Sequence, residues 1–191
     1  TLSLHDALPI YDQLLADIEI AILEPELQTL LDQMTRSYSD LLSKYKNQAA
    51  LDTALTDVDI YLTLSNSLLK GQLLSPQKAD PDICRALWEA IAAEQMTSMP
   101  LFSERLRRLD FSQFTVRGHY NKQYWHPYTH EEVSLKDYFK CMMWLGRMDF
   151  YFTPPPPNPY EAPWAKEEIH RMNLGGLLLN ETNGNEATAL L

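Results

Sequence analysis

The chain has 191 residues, with 26 Asp and Glu against 16 Lys and Arg, so its net charge at pH 7 is −10. An acidic chain whose longest basic cluster is Arg107-Arg108 is not expected to bind nucleic acid or an anionic membrane surface. No apolar run approaches the ~18 residues that cross a bilayer, so no transmembrane span is expected either.

The first ten residues, TLSLHDALPI, are the translation of one reading frame of a common sequencing adapter. We therefore expect residues 1–10 to be adapter-derived and foreign to the fold, and we assign no function to His5 or Asp6. Residues 11–183 are then expected to form one fragment of a helical domain, followed by a frayed tail at 184–191. On this interpretation the fragment is expected to contact the remainder of its parent chain, which the sequence does not include.

The N-terminal half shows the periodicity of helices. Leu14, Ile18 and Ile22 lie four residues apart, and Pro25 then either kinks this helix or opens a new one. One apolar stripe continues for five turns after the proline, at Leu27, Leu30, Leu31, Met34, Tyr38, Leu41, Leu42 and Tyr45.

Two further helices are predicted in this half. Apolar residues between 51 and 68 predict a second long helix that stops at Lys70-Gly71 and forms an antiparallel hairpin with the preceding one. Asp80-Pro81 is typical of a helix start, and the helix that it opens is expected to turn Ile83, Leu87 and Ile91 inward.

Residues 97–133 lack a period and are rich in aromatic side chains, which predicts a long loop strapped across the domain, with one short extended stretch near Leu109. Residues 134–152, opened by Ser134, are apolar on nearly every side, so this helix is expected to lie in the centre. Pro154 to Pro157 predict a polyproline II spacer or, less simply, a ligand for an aromatic groove.

A last helix is expected to open at Pro163 and to include a close-packing site at Gly175-Gly176. The predicted fold is therefore all-α, an irregular array of five to seven helices that is part of a larger helical protein. Cys84 and Cys141 fall in apolar helical patterns, which favours buried free thiols, although one disulfide stays open if the protein is exported.

The one concentrated polar and aromatic cluster begins with Arg117, Gly118, His119 and Tyr120. It continues with the low-specificity candidates Tyr124, Trp125 and His126, and with Tyr128 and His130. Arg117 could hold a carboxylate or phosphate through two hydrogen bonds, and His119 could act as an acid or base, so a binding or catalytic site is one interpretation.

The other interpretation is structural, and it is the one that we predict. Arg117 should pair inside the protein with a carboxylate or backbone carbonyls, while His119 and Tyr120 pack against the 134–152 helix. The two interpretations differ in whether Arg117 and His119 line an open cleft.

Other patterns do not predict a catalytic or metal site. His126 and His130 are four residues apart, but Pro127 disfavours the helix that would bring them together. Asp57 and Asp59 are two apart on a helix and should point to different faces. We therefore expect neither a metal nor a cofactor.

Three segments resemble the family called domain of unknown function 3160. They read FSQFTVRGHYNK, LKDYFKCMMWLGRMDFYF and MNLGGLLLNE, and they lie between Phe111 and Glu181. The Arg-Gly-His-Tyr element precedes a helix whose matching positions are Leu135, Tyr138, Phe139, Met142, Met143, Trp144, Gly146 and Arg147. Val116 stands where the family pattern often has Pro, and residues 121–133 lengthen the gap between the two elements.

The resemblance implies a large, mostly helical bacterial protein that is often exported or attached to the cell surface, with no agreed activity. The predicted function is that of an extracytoplasmic structural or ligand-binding protein. The alternative is a hydrolase-like enzyme whose site surrounds the Arg-Gly-His-Tyr element.

Overall fold

The computed structural model describes residues 4–184, and the side chains from residue 9 onward. The described residues form six α-helices and two antiparallel sheets of two strands each. The helices are α1 (Leu4–Ile18), α2 (Glu24–Lys44), α3 (Asp52–Leu69), α4 (Pro81–Ala93), α5 (Lys136–Arg147) and α6 (Lys166–Thr182). The strands are β1 (Met96–Pro100), β2 (Leu106–Asp110), β3 (Gln123–Trp125) and β4 (Glu132–Ser134).

A π-helical turn, Glu19–Leu23, joins α1 to α2 without a break in the helical backbone. The Glu24 amide donates to the Glu19 carbonyl, five residues back, so the wider π-helical turn directly precedes Pro25 in the first turn of α2. Of the two predicted alternatives, Pro25 does lie at the start of α2, but it does not open a separate helix, because the helical backbone continues from α1. The Leu14, Ile18, Ile22 stripe is exposed, and Ala16 and Ile20 face the core instead.

The central helix is α3, not the 134–152 segment as predicted. Helix α3 packs against α2, α4, α5 and α6, and nearly all of its residues are buried. The prediction failed because α3 carries polar side chains that looked solvent-facing but are hydrogen-bonded inside. Ser65, for example, donates to the Tyr61 carbonyl at 2.7 Å.

Helix α5 is shorter than predicted and lies at the side of α3. Trp144 is fully buried as expected, but Met143 is only half-buried and Met142 is exposed. Its run of apolar residues therefore does not mark a helix that is enclosed on every side.

The all-α prediction is wrong, because the 97–133 segment contains two β-hairpins. Strand β1 pairs with β2 from Met96 opposite Asp110 to Pro100 opposite Leu106, and β3 pairs with β4 around Tyr124 opposite Val133. The β2 pattern is inverted, because Arg107 is buried and Leu106 is exposed, so the usual apolar alternation of a strand is absent.

The turn between β1 and β2 also lacks a sequence signal. Phe102, Ser103 and Glu104 all have φ between 52° and 57°, a conformation that ordinarily favours Gly or Asn. Buried Asp57 holds this turn, since its Oδ2 accepts from the Ser103 amide at 2.7 Å. Asp59 holds a different loop through the Lys78 and Ala79 amides, so the prediction that the two carboxylates diverge is confirmed.

The C-terminal helix packs closely on the segment that follows α5. A Cβ on Gly175 would lie 2.5 Å from the Phe150 ring, which confirms the predicted close-packing site. Helix α6 begins at Lys166 and not at the predicted Pro163. At the start of this helix, Glu168 Oε2 accepts from the Ala165 amide at 2.7 Å. Cys84 and Cys141 are both buried and free, as predicted.

Candidate functional site

The candidate site is centred on Glu19, in the π-helical turn. Glu19, His119 and Tyr120 are together called the Glu19 cluster. His119 Nε2 lies 2.8 Å from Glu19 Oε2, and the Tyr120 hydroxyl donates to Oε1 at 2.9 Å. The His119 and Glu19 side chains are 17% and 12% exposed, so this contact is well shielded from solvent. A π-helical turn frequently marks a functional position, and here it supplies a carboxylate.

The Arg-Gly-His-Tyr element forms a tight turn that presents two rings on one side. Gly118 has φ +63° and opens a 3-10 turn, Gly118–Asn121. The His119 and Tyr120 ring centroids lie 3.9 Å apart, and the Tyr120 ring packs 4.9 Å from Phe139 on α5. The prediction that these rings meet the 134–152 segment is correct for Tyr120.

The environment keeps the Tyr120 hydroxyl neutral. Burial, and then its hydrogen bond to Glu19, raise the pKa of Tyr120 above its ordinary value. Because the hydroxyl stays protonated, it remains a donor to the carboxylate.

Arg117 does not behave as predicted. Its side chain is exposed, and it has no hydrogen bond or ion pair to any side chain that the structure describes. The internal pairing predicted for its guanidinium is therefore not found among the described residues.

The remaining candidates lie on the second hairpin and do not join the Glu19 cluster as a group. Tyr124 is buried, and its hydroxyl donates to the His119 carbonyl at 3.1 Å. Trp125, the next residue of β3, is 67% exposed because alternate side chains of a strand point to opposite faces. His126 Nδ1 accepts from the Tyr128 and Thr129 amides, so it caps the turn between β3 and β4.

The Glu19 cluster combines a histidine, a carboxylate and a tyrosine, which are groups that can move protons. Both carboxylate oxygens are already occupied, however. Among the described residues, no serine or threonine hydroxyl and no cysteine thiol hydrogen-bonds to His119, and no three His, Cys, Asp or Glu side chains converge into a metal-binding group. The cluster thus connects the turn after α1 to the loop before β3.

Two features of possible function escaped the sequence analysis. Glu19 is an acid inside an apolar run, and its only signal was that mismatch. Arg105, just before β2, and Arg107, within it, are buried and contact the rings of Trp164 and Tyr151, which no local sequence pattern predicted.

These features define a helix-dominated domain with two small antiparallel sheets and a partly buried carboxylate that contacts His119 and Tyr120. The chain belongs to the family described as protein of unknown function (DUF3160), whose sequence model matches residues 2–190. This match confirms the resemblance carried by the motifs. No curated protein and no solved structure matches the chain. None of the helices that the structure describes is long and apolar enough to span a membrane.

Proposed function

We propose that this domain is a structural or ligand-binding module in which the Arg-Gly-His-Tyr element fastens the N-terminal helix to the rest of the fold. The observation that carries the proposal is the double hydrogen bond to Glu19, one from His119 and one from Tyr120. Charge-assisted hydrogen bonds at a shielded carboxylate are strong and directional, which suits a clamp.

The clamp joins three parts of the chain. Glu19 belongs to the turn after α1, the two rings belong to the loop before β3, and Phe139 beneath Tyr120 belongs to α5. A more exposed ion pair, Lys122 to Asp12 at 2.6 Å, connects the same loop to α1 itself. Removing the clamp should therefore loosen α1 without unfolding the core around α3.

One observation favours the hydrolase alternative. The His119–Glu19 pair has the separation of a general base and its orienting carboxylate. In such a site, substitution of His119 would abolish turnover, whereas in a clamp it would change only how firmly α1 is held.

Amide hydrogen exchange and a hydrolysis assay on the same variants separate the two functions. We expect His119→Ala and Glu19→Ala to speed exchange in residues 9–23, with His170→Ala, an exposed position on α6, as the matched control. We expect the wild type and His119→Ala to hydrolyse p-nitrophenyl acetate and p-nitrophenyl phosphate at the same background rate. Unchanged exchange together with turnover that disappears in His119→Ala would replace the clamp with an enzyme.

We also propose that the parent protein acts outside the cytoplasm, on the support of the resemblance described above. Fractionation of cells that express the full-length gene tests this location. Recovery in the cytoplasmic fraction alone would contradict it.

A further inference from the structure

A cavity of about 530 Å³ lies between β2 and the proline-rich segment that leads to α6. Its walls combine the side chains of Arg107 and Arg108 with the rings of Tyr151 and Trp164 and with the prolines of residues 154–157. Ligand pockets of roughly 300–1,000 Å³ with apolar walls and a few polar groups are the usual form of a small-molecule site.

Arg107 is the unusual member of this lining. Its residue is only 6% exposed, its Nη2 donates to the Tyr151 hydroxyl at 3.0 Å, and its guanidinium lies over the Tyr151 ring at 5.2 Å. Its Nη1 is buried without a hydrogen-bond partner, and no carboxylate in the described part of the chain forms an ion pair with it. The positive charge is thus enclosed and has no ion-pair partner among the described side chains.

The neighbouring Arg105 shows how this protein compensates a buried arginine. Arg105 Nη1 pairs with Glu168 Oε2 at 2.8 Å, Nη2 donates to the Ala162 carbonyl, and the guanidinium stacks 4.0 Å over Trp164, although its Nε has no acceptor. Two residues further along the chain, Arg107 has the aromatic contact but lacks the ion pair.

A buried charge without a partner destabilises a fold, and a ligand of opposite charge that pairs with it offsets that cost. We propose that the cavity binds a small organic carboxylate, whose carboxylate group pairs with Arg107 and whose flat apolar body packs against Tyr151, Trp164 and the prolines. This proposal is independent of the role of Glu19.

The other charges at the cavity favour a singly charged ligand. Arg108 adds a second positive charge and stacks 4.1 Å over Tyr160, while Glu161, also in the lining, accepts from the Arg108 amide at 2.9 Å. One carboxylate beside two guanidinium groups leaves a surplus of a single positive charge, which disfavours a dianion such as a phosphate monoester.

The ligand can reach Arg107 from the side of residues 154–163. This segment forms neither helix nor strand, so a small outward shift there breaks no regular hydrogen-bond ladder. The carboxylate oxygens of the ligand would then accept a hydrogen bond from Arg107 Nη1, which has no other acceptor among the residues described.

Calorimetric titration of the full chain with benzoate, benzamide and phenyl phosphate tests the proposal. We expect benzoate to bind with a Kd on the order of 1 mM, as suits a ligand of its size, and benzamide and phenyl phosphate to bind at least about tenfold more weakly. Benzamide keeps the ring and removes the charge, so equal binding of the two would overturn the pairing with Arg107. Tighter binding of phenyl phosphate would overturn the choice of carboxylate.

Two variants complete the test. Arg107→Met should lose benzoate binding by at least about tenfold and keep or raise the Tm, because it removes an uncompensated charge. Arg105→Met should lower the Tm, because it leaves Glu168 without its partner. If Arg107→Met binds benzoate as the wild type does, or if the wild type shows no benzoate binding, the proposal fails. The comparison of benzoate with benzamide on the wild type holds even where a variant does not fold.

Discussion

At the scale of single residues, Trp144 shows how one polar atom fixes a large core side chain. The indole is fully buried, and its Nε1 donates to the Tyr61 carbonyl of α3 at 3.1 Å. Replacing it with alanine leaves a cavity and removes this hydrogen bond, although the Tyr61 carbonyl keeps its bond from Ser65. We expect Trp144→Ala to reduce the free energy of unfolding by about 3–5 kcal/mol in urea denaturation. A loss below about 1 kcal/mol would show that this side of α5 is not a packed interface.

Arg117 carries the opposite expectation. Because its side chain is exposed and unpartnered among the described residues, Arg117→Lys should change the free energy of unfolding by less than about 0.5 kcal/mol. Thermal unfolding at two salt concentrations is sufficient to measure this. A drop of several degrees in the Tm would instead support the internal pairing of Arg117 that the sequence predicted.

Asp57 makes stability depend on pH. Burial raises the pKa of Asp57 to about 7, against the opposing effects of hydrogen bonds from Ser103 and the charge of Arg171, and the nearby Glu104 adds to the rise. Between pH ~4 and ~7 the folded state therefore holds a proton that the unfolded state has released. The contribution of this group to stability falls as pH rises through that window, by at most about 1.4 kcal/mol per pH unit, and is constant above it.

Substitution of Asp57 with asparagine removes this titration while the amide oxygen can still accept from Ser103. Urea denaturation from about pH 5 to about pH 8 should show a shallower decline for Asp57→Asn than for the wild type. Asp82→Asn, at an exposed acid on α4, is the control and should follow the wild type. Equal slopes in the Asp57 variant and the wild type would contradict the raised pKa.

At the scale of elements, the sequence identified helices well and strands poorly. The hairpin of α2 and α3 and the start of α4 follow from apolar periodicity and from the Asp80-Pro81 cap, because these signals are local. The β1–β2 hairpin depends on Asp57, which holds the Ser103 amide from 46 residues away. Such long-range support replaces the glycine that a turn would otherwise need, so no local pattern reveals it.

The candidate site was likewise predicted only in part, because some of its residues have a local sequence signal and one does not. Gly118, His119 and Tyr120 were found because polar and aromatic residues cluster in this part of the chain. Their partner Glu19 lies 100 residues away, and its role is set only when α1 meets the loop before β3.

The N-terminal segment provides a prediction at this scale. Ile10 is 60% exposed, and we still expect residues 1–10 to be foreign to the fold. Deleting them should leave the free energy of unfolding unchanged within about 0.5 kcal/mol, measured by urea denaturation. A larger loss would contradict the adapter interpretation.

At the scale of the whole molecule, buried and half-buried carboxylates connect elements that are distant in sequence. Asp57 fixes the first hairpin to α3, Asp59 fixes the loop before α4, and Glu168 pairs α6 with Arg105. Glu19 belongs to the same set, since it attaches the loop before β3 to the end of α1. The apolar core surrounds α3, and these carboxylate contacts give each peripheral element a specific position on it.

A double-mutant cycle on Glu19 and Tyr120 tests the clamp most directly. With Glu19→Gln, Tyr120→Phe and the double variant, urea denaturation should give a coupling energy of about 1–3 kcal/mol, as befits a shielded hydrogen bond to a charged group. The control cycle on Asp12 and Lys122, whose ion pair is more exposed, should give less than about 0.5 kcal/mol. A coupling between Glu19 and Tyr120 no larger than that of the control would contradict the proposal that this cluster holds the N-terminal helix.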